Sequence, residues 1–157
     1  MSDAAPHPAP DAKPVIRPFA PADIGSIIEL WKKCGLVVPQ NDPWRDIERK
    51  MSVDPDLLLV AEEGGRVIGS VMAGYEGHRG WINYVAVHPD HRRRGLGGHL
   101  MHAAEAALTE RNCPKINLQV RRQNEDVIAF YRALGYAEDD VVSLGKRLIE
   151  DEPTTPD

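Results

Sequence analysis

Three arginines followed by a glycine-rich run, Arg92-Arg93-Arg94-Gly95-Leu96-Gly97-Gly98, form the densest group of chemistry-bearing residues in this 157-residue chain. Glycines let the main chain approach a ligand closely, and the free N–H groups of a helix's first turn point outward beside the positive end of its dipole. That combination suits a phosphate group. Two familiar phosphate loops do not fit. A Walker loop requires Gly-x-x-x-x-Gly-Lys-Ser/Thr, and a dinucleotide fingerprint requires a third glycine where this chain has Leu100. The bland alternative for the same residues is a basic turn ahead of a glycine-rich helix start, with each arginine a solvated charge.

The run must be held where a strand gives way to a helix. Trp81 to Val87 reads as a strand stopped by Pro89 and the charges after it, and from Leu96 the apolar residues Leu100, Ala103, Ala104, Ala107 and Leu108 recur at helical spacing until about Arg111-Asn112. Upstream, Val15-Ile16-Arg17-Pro18 is a short first strand. Pro21-Ala22-Asp23 opens a helix whose stripe is Ile24, Ile27, Ile28 and Trp31, ended by Gly35. Asp42 can cap a second helix with Pro43 at its first position and with Trp44, Ile47 and Met51 on one face. Leu57 to Glu62 and Arg66 to Gly74 form a hairpin across Glu63-Gly64-Gly65. Lys115 to Val120 is a further strand, and the strand, helix, strand succession predicts a right-handed crossover with parallel pairing. Asn124 can cap the last helix, with Glu125 and Asp126 in its first turn and Gly135 just past its end. Tyr136 to Asp140 and Val141 to Leu148 read as a closing hairpin.

Arg92-x-x-Gly95-x-Gly97 after Val85-Ala86-Val87, and then Asn124-Glu125-Asp126 with Ala129-Phe130-Tyr131-x-x-Leu134-Gly135-Tyr136, resemble the two signature blocks of the GNAT superfamily, the acyl-CoA-dependent N-acetyltransferases. The resemblance covers about residues 15 to 148. Within it, Asn41-Asp42-Pro43-Trp44, Gly74-Tyr75-x-Gly77-His78-Arg79-Gly80 and Ser143-Leu144-Gly145-Lys146-Arg147 are similar to the small bacterial YpeA-type acetyltransferases. The resemblance implies an α/β (α+β) GNAT fold, a mixed central sheet of six to seven strands flanked by about four helices. It also implies acetyl-CoA as cosubstrate and transfer of an acetyl group to a primary amine by direct attack in a ternary complex.

By the same resemblance, Val85 and Val87, with Ala86 between them, offer main-chain groups to the pantetheine arm, and the Val87 N–H or a neighbour polarises the thioester carbonyl. Arg93, Arg94, Gly95, Leu96, Gly97 and Gly98 correspond to the pyrophosphate loop, acting mainly through N–H groups. Arg92 stands at the first signature position, where bracing the loop is its other role. Asn124 corresponds to a cofactor contact, compatible with helix capping. Tyr131 corresponds to the general acid: a phenol of reference pKa about 10 stays protonated at neutral pH and can donate to a departing thiolate. Its place beside Val127 and Leu134 on one helical face, taken alone, favours core packing, and the flanking motif is what points it to the cofactor. Where some protein-acetylating members carry a glutamate base, this chain has Gln119, so Glu76, His78, Asp42 and Glu48 become the candidates by location. Gln119 also keeps open a non-catalytic acyl-CoA-binding or sensing module.

Composition narrows the class. The length suits one domain, bounded here as a disordered Pro/Ala-rich tail over residues 1–14, a single domain over 15–149 and a frayed end over 150–157. A net charge of −5 argues against nucleic acid as a partner, leaving the basic cluster to one small polyanion. Cys34 and Cys113 lack metal-ligand spacing, and no metal cofactor is expected. No apolar run has the length of a signal peptide or membrane span, which points to a cytoplasmic protein without a membrane partner. A homodimer is compatible with the sequence but not demanded by any heptad or apolar stripe.

Overall fold

A computed structural model describes residues 14–151; all but the last residue of the proposed tail and most of the proposed frayed end lie outside these residues. Strands β1 (Val15–Pro18), β2 (Leu58–Glu63), β3 (Arg66–Tyr75), β4 (Gly80–Val87) and β5 (Ile116–Leu118) form one sheet in sequence order. The first four are antiparallel, and β4 pairs with β5 in parallel, as a crossover through an intervening helix requires. That helix is α3 (Leu96–Glu110); α1 (Ile24–Lys33), α2 (Pro43–Met51) and α4 (Glu125–Ala133) complete the set. The Asp42 carboxylate accepts from Trp44 N at 3.0 Å, so the expected cap of α2 is present. Among the described residues, no helix is long and apolar enough to cross a membrane.

Side chains of β2 alternate between two cores. Leu58 and Val60 join Ile27, Trp31 and Ile47 beneath α1 and α2, whereas Leu59 and Ala61 join Leu100, Met101, Leu108 and Tyr131 beneath α3 and α4. Strand β4 breaks this rule. Ile82 and Ala86, four residues apart, would share a face of a regular strand, yet Ile82 belongs to the α3 side and Ala86 to the α1 side. The register explains it: Met72 faces Asn83 and Ser70 faces Ala86, so Tyr84 and Val85 together stand opposite Val71. One extra residue is a β-bulge, and each such insertion reverses the faces beyond it. Tyr84 takes φ +50°, an uncommon backbone for a non-glycine residue.

The sheet has five strands, not the six to seven expected. After Gly135, residues 136–150 run as an extended arm without a strand ladder. The arm follows β5 through side chains, Lys115 to Asp139 at 2.8 Å and Gln119 to Ser143, then is pinned by Arg147 to Asn41 at 3.1 Å and by Asp151 to Arg49 at 2.5 Å. The alternating apolar residues that read as a hairpin, Val141, Val142, Leu144 and Leu148, are exposed by 76 to 90%. With β5 only three residues long, little edge remains to anchor a ladder.

Candidate active site

The bulge in β4 is held from the α1 side. Ser70 Oγ, fully buried on β3, donates to the Tyr84 carbonyl at 2.8 Å and accepts from Trp31 Nε1 at 2.9 Å. The Trp31 ring stacks on Tyr84 at 3.8 Å and 16°. A serine hydroxyl thus restores a bond the bulge removes from the ladder.

On the other side β4 parts from β5. Pairing ends at Ile82 with Leu118, so Asn83 to Val87 have no neighbour on that edge. His88 N donates to Ile68 O at 2.8 Å, and because main-chain groups alternate along a strand, Val87 points its N–H and C=O toward the open edge. The structure therefore places Val85, Ala86 and Val87 on a strand edge that no described strand pairs with. It also takes up one group: the Val87 carbonyl accepts from Arg92 Nε at 3.2 Å and from Cys34 Sγ at 3.3 Å, leaving the N–H. Arg92 is a brace of the loop, and Cys34, which the sequence gave no reason to single out, is part of that brace. Only the tertiary approach of the α1 end to β4 brings Cys34 there.

The open edge leads into α3. Gly95, at φ +74°, precedes the helix, and no side chain caps it, so the amides of Leu96, Gly97 and Gly98 face outward at its positive end. Leu96 itself is buried. Arg94 is bound by Glu63 at 2.9 Å, and the guanidinium holds that carboxyl below the usual carboxylate range; Arg93 is exposed with φ +68°. Gly97 has a second reason to be glycine, since a Cβ there would lie 3.1 Å from Phe130 Cζ of α4. Asn124 corrects an expectation: it occupies the N-cap of α4, but its side chain makes no cap bond. Glu125 and Asp126 already satisfy the helix start electrostatically, which leaves the Asn124 amide uncommitted.

Tyr131 serves both readings of its position. Its ring is buried against Phe130 at 5.0 Å and Tyr136 at 5.8 Å, while its hydroxyl has no hydrogen-bond partner among the described residues. Burial pushes the phenol up to about 12, so it is protonated across the physiological range.

A cavity of about 600 Å³ opens at the bulge on the α1–α2 side, lined by Asn83, Tyr84, Met72, Asp46, Lys50 and Arg121 among others. In it the Tyr84 hydroxyl donates to Asp46 Oδ2 at 2.6 Å, and Arg49 approaches Asp46 Oδ1 at 3.3 Å. Burial and the Asp46 bond push the Tyr84 phenol well above its ordinary value. None of the four base candidates named by location lines this cavity. Asp42 is buried as a helix cap, Glu76 accepts from the His78 and Arg79 amides, His78 lies in the same exposed turn, and Glu48 faces a separate shallow surface. Asp46 was legible only as an acidic residue in the first turn of α2.

The model of the acetyltransferase (GNAT) family matches residues 24–136. An acetyltransferase of Sodalis glossinidius is 53% identical over 138 residues, covering 87% of this chain and 97% of that protein. The crystal structure of Ard1 from Thermoplasma volcanium is similar at a TM-score of 0.71 and 27% identity, over 80% of this chain and 84% of that one. Naa20 of Chaetomium thermophilum, solved with a bisubstrate analogue, is similar at a TM-score of 0.65 and 29% identity, over 78% and 70%. With the parted strands, the uncapped helix start and these relatives in agreement, the chain belongs to the acetyltransferase (GNAT) family and is an acyltransferase that carries an acetyl group to an amine.

Proposed function

We propose that the protein binds acetyl-CoA along the free edge of β4 and transfers the acetyl group directly to a primary amine held in the cavity beside Tyr84. One observation carries this reading: the bulge and the parting of β4 from β5 join an amide cradle on one side to a cavity holding a carboxylate on the other. The amides of Leu96, Gly97 and Gly98, with Arg93, would hold the pyrophosphate, and Val85 and Val87 would pair with the pantetheine arm as an added strand. Asn124, free of capping, would contact the same cosubstrate.

The acceptor enters as an ammonium ion, and Asp46 takes one of its protons and passes it to solvent. The amine lone pair then forms the C–N bond at the thioester carbonyl carbon, whose oxygen is polarised by the Val87 N–H. As the C–S bond breaks, Tyr131 gives its proton to the thiolate and recovers one from the nitrogen through solvent. The net products are an amide, a thiol and one released proton. A proton acceptor inside the cavity disfavours a non-catalytic sensor.

Two of the three clustered arginines are committed to the protein, Arg92 to Val87 and Arg94 to Glu63, which supports one small polyanion over a nucleic acid. Free Cys34 and Cys113 fit a reducing compartment such as the cytoplasm. The arm supports pairing with a second copy. Antiparallel about a two-fold axis at Ser143, Val142 would face Leu144 of the partner subunit, and Asp140 would face Lys146 of the partner subunit, joining apolar and charge complementarity. The reading is tested by calorimetric titration of acetyl-CoA followed by thiol release against an amine panel. Binding with acceptor-dependent release supports it; absence of binding overturns it.

A further inference from the structure

The cavity is lined by a lysine that no carboxylate of the described residues pairs with directly. Lys50 is 9% exposed at the end of α2, and its Nζ makes no hydrogen bond or ion pair among the described residues. Burial draws its pKa down from the ordinary lysine value. The acidic groups nearest it, Asp54 and Asp56, are bound by Arg111 at 3.1 and 2.5 Å. The Nζ still reaches the solvent of the cavity it lines, so an anionic group entering there meets an ammonium with no ion pair of its own among the described residues.

Its position is defined by β3. The Nζ lies 3.5 Å from where a Cβ of Gly74 would stand, in space that a side chain would take. Gly74 shares a face with Met72, which pairs with Asn83 beside the bulge. Two residues of strand separate them, about 7 Å. Lys50 and the bulge thus border one cavity on the same face of the sheet, where a small molecule carrying both an amine and an anionic group can meet both. Arg121, between β5 and α4, lines the same cavity and has no ion pair among the described residues, whereas Asp46 and Arg49 are already paired.

We propose that the acceptor is an amine bearing a carboxylate, with Lys50 and Arg121 binding the carboxylate while the amine faces the bulge. The proposal rests on the acetyl-transfer reading and adds the acceptor's chemical class. The test measures thiol release with the amino acids, β-alanine and the corresponding amides, in the wild type, Lys50→Met and the exposed-site variant Arg121→Gln, with acetyl-CoA affinity measured on each. The expected result is a preference of at least tenfold in kcat/KM for acids over amides. Lys50→Met should lose that preference through KM, with amide turnover and acetyl-CoA affinity within twofold of wild type, and Arg121→Gln should lower it about threefold. Amides used as well as acids, an equal loss for both in Lys50→Met with Arg121→Gln silent, or acetyl-CoA bound with no release to any compound would each overturn the carboxylate assignment. A wild type that does not bind acetyl-CoA would instead overturn the acetyl-transfer reading.

Discussion

Replacing Tyr131 by phenylalanine removes one oxygen and leaves the ring between Phe130 and Tyr136. Because that hydroxyl has no partner among the described residues, no hydrogen bond to them is lost, and stability near neutral pH should stay within about 1 kcal/mol of wild type. At high pH the two proteins should part. Burial pushes the folded phenol up to about 12 from a reference of 10.0, so the folded state favours the protonated form. The stabilisation is fully present below pH 10 and is lost as pH rises through 12, a loss on the order of 2 to 3 kcal/mol. The phenylalanine variant lacks this component, and urea midpoints compared between pH 9 and 11.5 should show a shallower fall. In catalysis, losing a general acid should lower kcat by about a hundredfold, again near 2.7 kcal/mol, with acetyl-CoA affinity unchanged by calorimetry. An unchanged kcat, or parallel loss of affinity, turnover and thermal stability, would refute the proton-donor role and leave Tyr131 a core residue.

Asp46→Asn should cut thiol release by about a hundredfold with acetyl-CoA affinity unchanged, whereas Glu48→Gln should leave thiol release as in the wild type. Gly98→Ala should raise stability by about 0.5 to 1 kcal/mol, because Leu134 lies 3.9 Å from the new methyl, while Gly97→Ala, 3.1 Å from Phe130, should not; paired thermal melts decide. Ser70→Ala leaves Trp31 Nε1 and the Tyr84 carbonyl without their shared partner and should cost about 2 kcal/mol, read from denaturant midpoints. Leu144→Asp in the arm should convert a dimer to a monomer in light scattering without altering the melting of the protomer; a wild type monomeric at high concentration would overturn the pairing.

What the sequence determined by itself is what local chemistry encodes. Period, Pro and Gly punctuation and the Asp42 cap set α1, α2, the Glu63-Gly64-Gly65 hairpin and the passage from β4 into α3, and with them the uncapped, glycine-rich helix start that follows Arg92 to Arg94. Those features depend on residues within a turn or two of one another. The tertiary structure decided everything that depends on residues distant in sequence. The bulge at Tyr84 exists because Ser70 and Trp31 hold it, 14 residues and more away, and no alternation of apolar residues announces a one-residue insertion. Asp46 and Lys50 look like the charged face of an amphipathic helix until Tyr84 and Gly74 of the sheet close over them. The arm shows the converse: its Val and Leu alternation suits a strand, but a strand needs an edge to pair with, and three residues of β5 supply little of one.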